Sequence, residues 1–363
     1  VCSSGLFFYP DWFGKMGVMA LVLVVLFGGL CLRFTSSPGW VVAALLGLAI
    51  LGSAYNLWNI TGGQPLYGDD HPSFMLRLWV CGEANPWTSY YNPVWNGGRS
   101  ACYILPSGLA PLGALVWPLL QFVDVHAVYL PMFVVVYMVG LALVGAVAVR
   151  LVGGGRIAMG VGGILLMAHT LTYYRWFLHF GTLGASFCLP FLVLVVALLY
   201  RAIYLKKFNT WSGIALVLSA LSFLAWPPAA FIALALVVPL LVSVRDWDKR
   251  TWKFLLLGLA GVLACYIPFI LTIFRYTAAS KFLEAAKGVM PVNKGFHEGW
   301  TELGGQFIEA NPLLIVFGLL GVWFLRRPGM RRFVGLTLLS LLVITGWGEL
   351  WKPNLELQRA GMP

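Results

Sequence analysis

Two adjacent aspartates, Asp69 and Asp70, followed at once by His71, open the most polar stretch of a chain that is otherwise strongly apolar. Arg77, Glu83 and Arg99 follow within the same stretch, and ionisable groups set beside long apolar runs are functional candidates. On a helix adjacent side chains diverge by about 100°, and on a strand by about 180°, so the two carboxylates by themselves are poor candidates for one paired acid/base device. One can face a substrate while the other holds a metal, an arginine or a backbone N–H. A single well-placed carboxylate serves as general base for a hydroxyl, a contribution of roughly 10²–10⁴-fold. His71 could tune that carboxylate, bind phosphate, or sit in an exposed loop. The pair is equally readable as the acidic cap of a short helix over 72–82.

Downstream, Trp87, Tyr90, Tyr91 and Trp95 are interleaved with Asn92, Asn96, Gly97, Gly98 and Arg99. Amides set between flat aromatic faces suit a sugar, whose hydroxyls need hydrogen bonds and whose C–H faces need apolar partners. The same residues also suit an aromatic belt at the membrane interface. Gly97-Gly98 predicts a tight turn that lets backbone approach a ligand. Further along, Arg175 and His179 are flanked by Tyr173, Tyr174 and Trp176. The segment 275–310 carries Arg275, Lys281, Lys287, Lys294 and His297 with Glu284, Glu298, Glu302 and Glu309. A loop of that length reads as a lid or binding loop, or as a solvated amphipathic helix near 281–287.

The elements that must position these groups follow from composition. The 363 residues are 60% hydrophobic and only 10% charged, with a mean hydropathy of +0.85. Soluble domains carry about 25% charged residues, so the chain reads as an integral membrane protein. That excludes a nucleic-acid-binding domain, a disordered regulator and a small disulfide-stapled module, and nucleic acid is no expected partner. A spanning helix needs about 20 apolar residues. Such runs cover 16–32, 39–60, 127–149, 157–174, 184–205, 253–274, 311–325 and 333–348. The stretch 211–244 is too long for one span and is interrupted by Pro227 and Pro228, which predicts two helices meeting at a turn. The run before Arg33 follows no charged leader or cleavage site and reads as a span.

The expected fold is thus an all-α polytopic membrane protein of about ten spans, with residues 1–363 forming one transmembrane domain. More than half of the 24 Lys and Arg lie in four loops: Arg150/Arg156; Arg201/Lys206/Lys207; Arg245/Lys249/Arg250/Lys253; and Arg326/Arg327/Arg331/Arg332. The positive-inside tendency puts all four in the cytoplasm. One crossing, 127–149, then separates them from 61–126, and the proline-punctuated run 104–122 dips into the outer leaflet or lies along it. The outer loops become 61–126, 175–183 and 275–310, the first bearing juxtamembrane helices. All acidic residues except Asp246 and Asp248, and all five His, then fall outside. Cys31, Cys188 and Cys265 read as apolar packing residues, while Cys81 and Cys102 share the first outer loop, where an oxidising exterior would let them pair.

The run Gly68–Trp79 (GDDHPSFMLRLW), then Asn92-Pro93 and Trp95-Asn96-Gly97-Gly98, then Tyr103–Pro106 (YILP), resembles a bacterial family of multi-pass membrane proteins. That family is described as 6-pyruvoyl-tetrahydropterin-synthase-related and is similar in architecture to GT-C glycosyltransferases. The resemblance runs from about residue 40 onward and aligns the family aspartate with Asp70. The helix break at Trp226–Pro228 matches a Thr-His-Pro break of the family; the chain departs where the family has a histidine four residues after the aspartate, here Phe74, and in that break, where Trp226 replaces the histidine. The resemblance implies transfer of a sugar from a polyprenyl-phosphate carrier to an extracytoplasmic acceptor at a bacterial inner membrane. Asp70 would be the base, with Asp69 supporting it or holding a divalent cation. His71, Arg77, Tyr91, Asn92, Trp95, Asn96, Arg99, Arg175, His179, Lys294 and His297 would be substrate-binding candidates, the cations Arg99, Arg175 and Lys294 for the leaving phosphate. Membrane lipid, the lipid-linked sugar and membrane-protein partners are the implied company. A non-catalytic subunit that keeps the same scaffold in a larger complex is the competing expectation.

Overall fold

The computed structural model describes residues 39–64, 68, 71–83, 91–92, 99–100, 116–167, 183–225, 229–244, 247–279 and 330–351. These are helical apart from one two-residue strand pair and the connecting turns. The helices are α1 Gly39–Thr61, α2 His71–Glu83, α3 running from Val125 to Leu151, α4 Arg156–Met167, α5 Leu183–Ile203, α6 Thr210–Leu221, α7 Ala229–Ser243, α8 Lys249–Ala279 and α9 Met330–Trp351. Three of them hold a stretch long and apolar enough to cross a membrane: Val42–Asn59, Val125–Leu151 and Lys249–Ile267. The expected runs at 16–32 and 311–325 lie outside the described residues.

Sequence chemistry accounts for the helix ends. Asp124 starts α3, its carboxylate accepting from the His126 N–H at 2.8 Å. Asn209 and Ser212 start α6 as a reciprocal capping box. Asp248 accepts from the Thr251 N–H and hydroxyl, satisfying donors that α8 cannot satisfy internally. At the other end of α1, Gly62 and Gly63 take φ of 61° and 76°, left-handed conformations that stop a helix cheaply only at glycine. Within α3, Pro131 lacks an N–H and crowds the preceding turn, and the chain passes into π-helical geometry over Phe133–Val139 before returning to α. α6 ends in a 3₁₀ turn, Ser222–Ala225, and α7 begins at Ala229, the two-helix arrangement expected on either side of Pro227 and Pro228.

Packing fixes helix directions. Gly39 lies against Arg156, and a Cβ on Gly163 would meet Leu46, so α1 and α4 run in the same direction. Leu57 and Trp58, late in α1, wall one cleft with Leu130 and Val134, early in α3, while Leu46, early in α1, and Ala142, later in α3, both lie beside Gly163, so those two helices are antiparallel. α3 and α4 pack backbone to backbone: a Cβ on Gly145 would sit 2.4 Å from the Gly162 carbonyl oxygen. Small residues that allow such approach are the usual means of holding helices together in lipid. Phe208 packs on Phe254 at 4.7 Å, and the Tyr266 hydroxyl donates to the Ala220 carbonyl at 3.0 Å, so α6 and α8 also run in the same direction.

Two ends of the bundle result. Arg150 closes α3 and Arg156 opens α4 at one end, whereas α2 and the start of α3 occupy the other. The 21 residue-to-residue steps from Tyr129 to Arg150 rise roughly 32 Å, close to a hydrocarbon core of about 30 Å. Between Val128 and Val149 no residue of α3 is charged. Leu256, Leu257, Leu259, Leu263 and Ile267 on α8 are each more than half exposed. Water does not tolerate a continuous apolar stripe of that kind on a monomer; lipid does.

Candidate functional site

α2 forms because Phe74, Met75 and Leu78 fall on one side at helical spacing, and all three are buried against the start of α3. Trp79 and Pro72 stay exposed on the other side. The helix begins at His71, whose N–H donates to the Gly68 carbonyl at 3.1 Å. The His71 side chain is fully buried, which removes the exposed-loop reading. Its Nδ1 lies 2.8 Å from the Tyr129 hydroxyl, with the ring edge-on to Tyr129 and tilted against Phe133.

Tyr129 and Phe133 belong to an aromatic column on α3. Tyr129 meets Phe133 at 5.1 Å in a T-shaped pair, and Phe133 stacks on Tyr137 at 5.4 Å. Tyr137 then donates to the Leu183 carbonyl at 2.8 Å, tying the column to the start of α5. Four aromatic rings and two polar contacts therefore link the first residue of α2 to a helix more than a hundred positions away in sequence. The i, i+4, i+8 spacing of Tyr129, Phe133 and Tyr137 was the available signal for this column, and apolar periodicity alone hides it among the valines of α3.

Arg77 is buried beside this anchor, its guanidinium carbon 4.9 Å from the centre of the Phe74 ring. That contact is a cation–π arrangement in a setting with little water. The far end of α2 is held by Gln121, whose Nε2 donates to the Gly82 carbonyl at 2.8 Å. A cleft of about 260 Å³ lies there, walled by Trp79, Gly82, Gln121, Phe122 and Asp124. Part of the run 104–122 is thus placed: 116–120 is helical and ends beside the last turn of α2.

The strand pair brings two further candidates together. Tyr91 pairs with Ser100 and Asn92 with Arg99 in antiparallel register, so the chain reverses between Asn92 and Arg99. Asp69, Asp70, Trp95, Asn96, Arg175, His179, Lys294 and His297 lie outside the described residues, as does Cys102. Cys188 is buried and Cys265 partly so, and neither forms a disulfide among the described residues. Among the described residues no group of three His, Cys, Asp or Glu side chains is placed to hold a metal ion.

At the opposite end, the Lys206 ammonium lies 2.8 Å from Asp248. That hydrogen bond, with the Thr251 N–H, lowers the Asp248 pKa to about 2. Tyr204 and Ser243 share a hydrogen bond of 2.6 Å, so α5 and α7 finish side by side next to it. Arg201 at the end of α5, Lys206 and Lys207 just past it, and Lys249 and Arg250 at the start of α8 therefore converge on one region. No protein-family model, curated protein or solved structure matches the chain.

Proposed function

We propose that this chain is a GT-C-like glycosyltransferase of about ten spans, moving a sugar from a polyprenyl-phosphate carrier to an acceptor hydroxyl. The reaction takes place at the end of the bundle that carries α2, which faces away from the cytoplasm of a bacterial inner membrane. Asp70 is the general base, and Asp69 supports it or binds a divalent cation. Arg99, with Arg175 and Lys294 from the other outer segments, stabilises the charge developing on the leaving phosphate. Tyr91, Asn92, Trp95 and Asn96 receive the sugar, and His179 and His297 complete the polar lining.

The observation that carries this reading is the burial of His71 against Tyr129. A peptide link places adjacent Cα atoms about 3.8 Å apart. Asp70 is therefore covalently next to a residue locked into the bundle, and a catalytic group gains most from being held on a rigid element. The pairing of Asn92 with Arg99 adds an amide and a cation in one register.

A second reading has its own observation. Phe74, where the related family carries a histidine, is buried core, and His71 is occupied by Tyr129 and Phe133. A scaffold subunit that keeps the fold for a membrane complex, without catalysis, accounts for both. The deciding experiment is an assay of purified protein with polyprenyl-phosphate-linked sugars, comparing the native chain with Asp70→Asn. Loss of transfer in a variant that retains its thermal stability supports the transferase. Transfer at the native rate would falsify the assignment of Asp70, and absence of transfer in the native chain favours the scaffold.

A further inference from the structure

A groove of about 690 Å³ lies between the parallel helices α6 and α8, far from α2. Its walls are apolar along most of their length: Ile214, Val217 and Leu218 on α6 face Phe254 and Leu257 on α8. Gly213 and Gly258 let the two helices approach closely along the groove, since a Cβ on the first would touch Phe254 at 3.5 Å and one on the second Leu216 at 3.1 Å. Leu218 and Leu257 are exposed on its rims, so the groove opens sideways, toward the surroundings of the bundle.

Charge is confined to one end. Arg250 and Lys253 line the mouth there, and both are exposed. The Arg250 guanidinium is held over the Phe208 ring at 5.1 Å, which limits its freedom before any ligand arrives. Among the described residues no acidic side chain lines the groove, and Asp248, the described carboxylate nearest in sequence, is committed to Lys206 and to capping α8. From Arg250 to Leu257 the helix rises roughly 10 Å, so the groove extends from the charged end most of the way into one leaflet of a core about 30 Å thick.

We propose that this groove binds an anionic glycerophospholipid of the leaflet that meets the basic loops. Arg250 and Lys253 take the phosphate, and Ile214, Val217, Leu218 and Leu257 take one acyl chain. The charge pattern selects the headgroup: two cations at the mouth, with no acidic residue among the described residues lining the groove, favour a net negative lipid over one whose phosphate is balanced by a choline. The binding does not depend on any transferase activity at the other end of the bundle.

The test is native mass spectrometry of the full chain released from detergent, supplied with equal phosphatidylglycerol and phosphatidylcholine. Each basic residue at a membrane surface contributes enough to predict a preference of roughly 10- to 30-fold for phosphatidylglycerol. Arg250→Gln with Lys253→Gln, both at exposed positions, should reduce that preference to near parity. Gly213→Leu, which fills the groove and leaves the cations in place, should reduce retention of both lipids. Millimolar inorganic phosphate should not displace the lipid, because the acyl contacts are not shared by a free anion. Equal retention of the two lipids by the native chain overturns the proposal. So does an unchanged preference in the double glutamine variant, or a lipid-free dimer whose second copy covers the groove.

Discussion

His71 has no bulk water around it and gains its stabilisation from Tyr129 and Phe133. The hydroxyl contact and the ring contacts can be separated by mutation. Tyr129→Phe keeps the edge-on ring and removes the hydroxyl, a loss of about 0.5–1.5 kcal/mol for a net hydrogen bond. Tyr129→Ala also removes the support for Phe133 and leaves a cavity, which costs about 3–5 kcal/mol for a large buried aromatic. Thermal unfolding in detergent, followed by tryptophan fluorescence, should rank native, Tyr129→Phe and Tyr129→Ala in that order of decreasing stability. Equal midpoints for the native and Tyr129→Ala proteins would show that α2 is not anchored through this column. Asp69, Asp70 and His71 stand out by composition in an apolar chain, and that is what marks them as candidates. The burial of His71 was not, because its partner lies 58 positions away and no local pattern encodes that contact.

At the scale of elements, the α3–α4 interface depends on missing side chains. A Cβ on Gly163 would lie 2.7 Å from the Ala142 carbonyl oxygen, against backbone that cannot swing aside, whereas one on Gly47 of α1 would meet nothing within 4 Å. Gly163→Ala should therefore destabilise by about 1–3 kcal/mol through overpacking. Gly47→Ala should be neutral or stabilising by up to about 1 kcal/mol, since alanine is the better helix former. Thermal midpoints of the two variants, measured side by side, check the contrast. The junction of α5 and α8 makes a pH prediction. With its pKa lowered from 3.8 to about 2, Asp248 stabilises the fold above pH 4, and that contribution fades as pH falls toward 2. Asp248→Asn keeps a capping side chain and loses the ion pair, so its unfolding midpoint should fall less steeply than the native one between pH 5 and 2. Helix positions were largely legible: apolar runs at 39–60 and 184–205 became Gly39–Thr61 and Leu183–Ile203. The run at 253–274 became Lys249–Ala279 because Asp248 caps a first turn that apolar counting discards. The π-helical segment of α3 and the parallel pairing of α6 with α8 were hidden, since each depends on neighbours that are not adjacent in sequence.

For the whole molecule, the two ends differ in chemistry as well as position. One gathers α2 and the aromatic column; the other gathers Arg201, Lys206, Lys207, Lys249, Arg250 and Lys253 around the Lys206–Asp248 pair. The antiparallel packing of α1 on α3 and the length of α3 keep Arg150 a full hydrocarbon thickness from Tyr129. If a bilayer surrounds the bundle, the exposed residue Gln64, just past α1, and the exposed residue Lys207, just past α5, lie on opposite sides of it. Loops rich in Lys and Arg stay in the cytoplasm, so Lys207 should face inward and Gln64 outward. In a background whose six native cysteines are replaced, Gln64→Cys and Lys207→Cys report the two sides separately. A membrane-impermeant maleimide added to intact bacterial spheroplasts should label Gln64→Cys alone, and added to inverted membrane vesicles it should label Lys207→Cys alone. Reversed labelling would place α2 in the cytoplasm, where no outward-facing carrier could reach Asp70. Labelling of both positions from one side would mean that α3 does not separate the two ends across the bilayer.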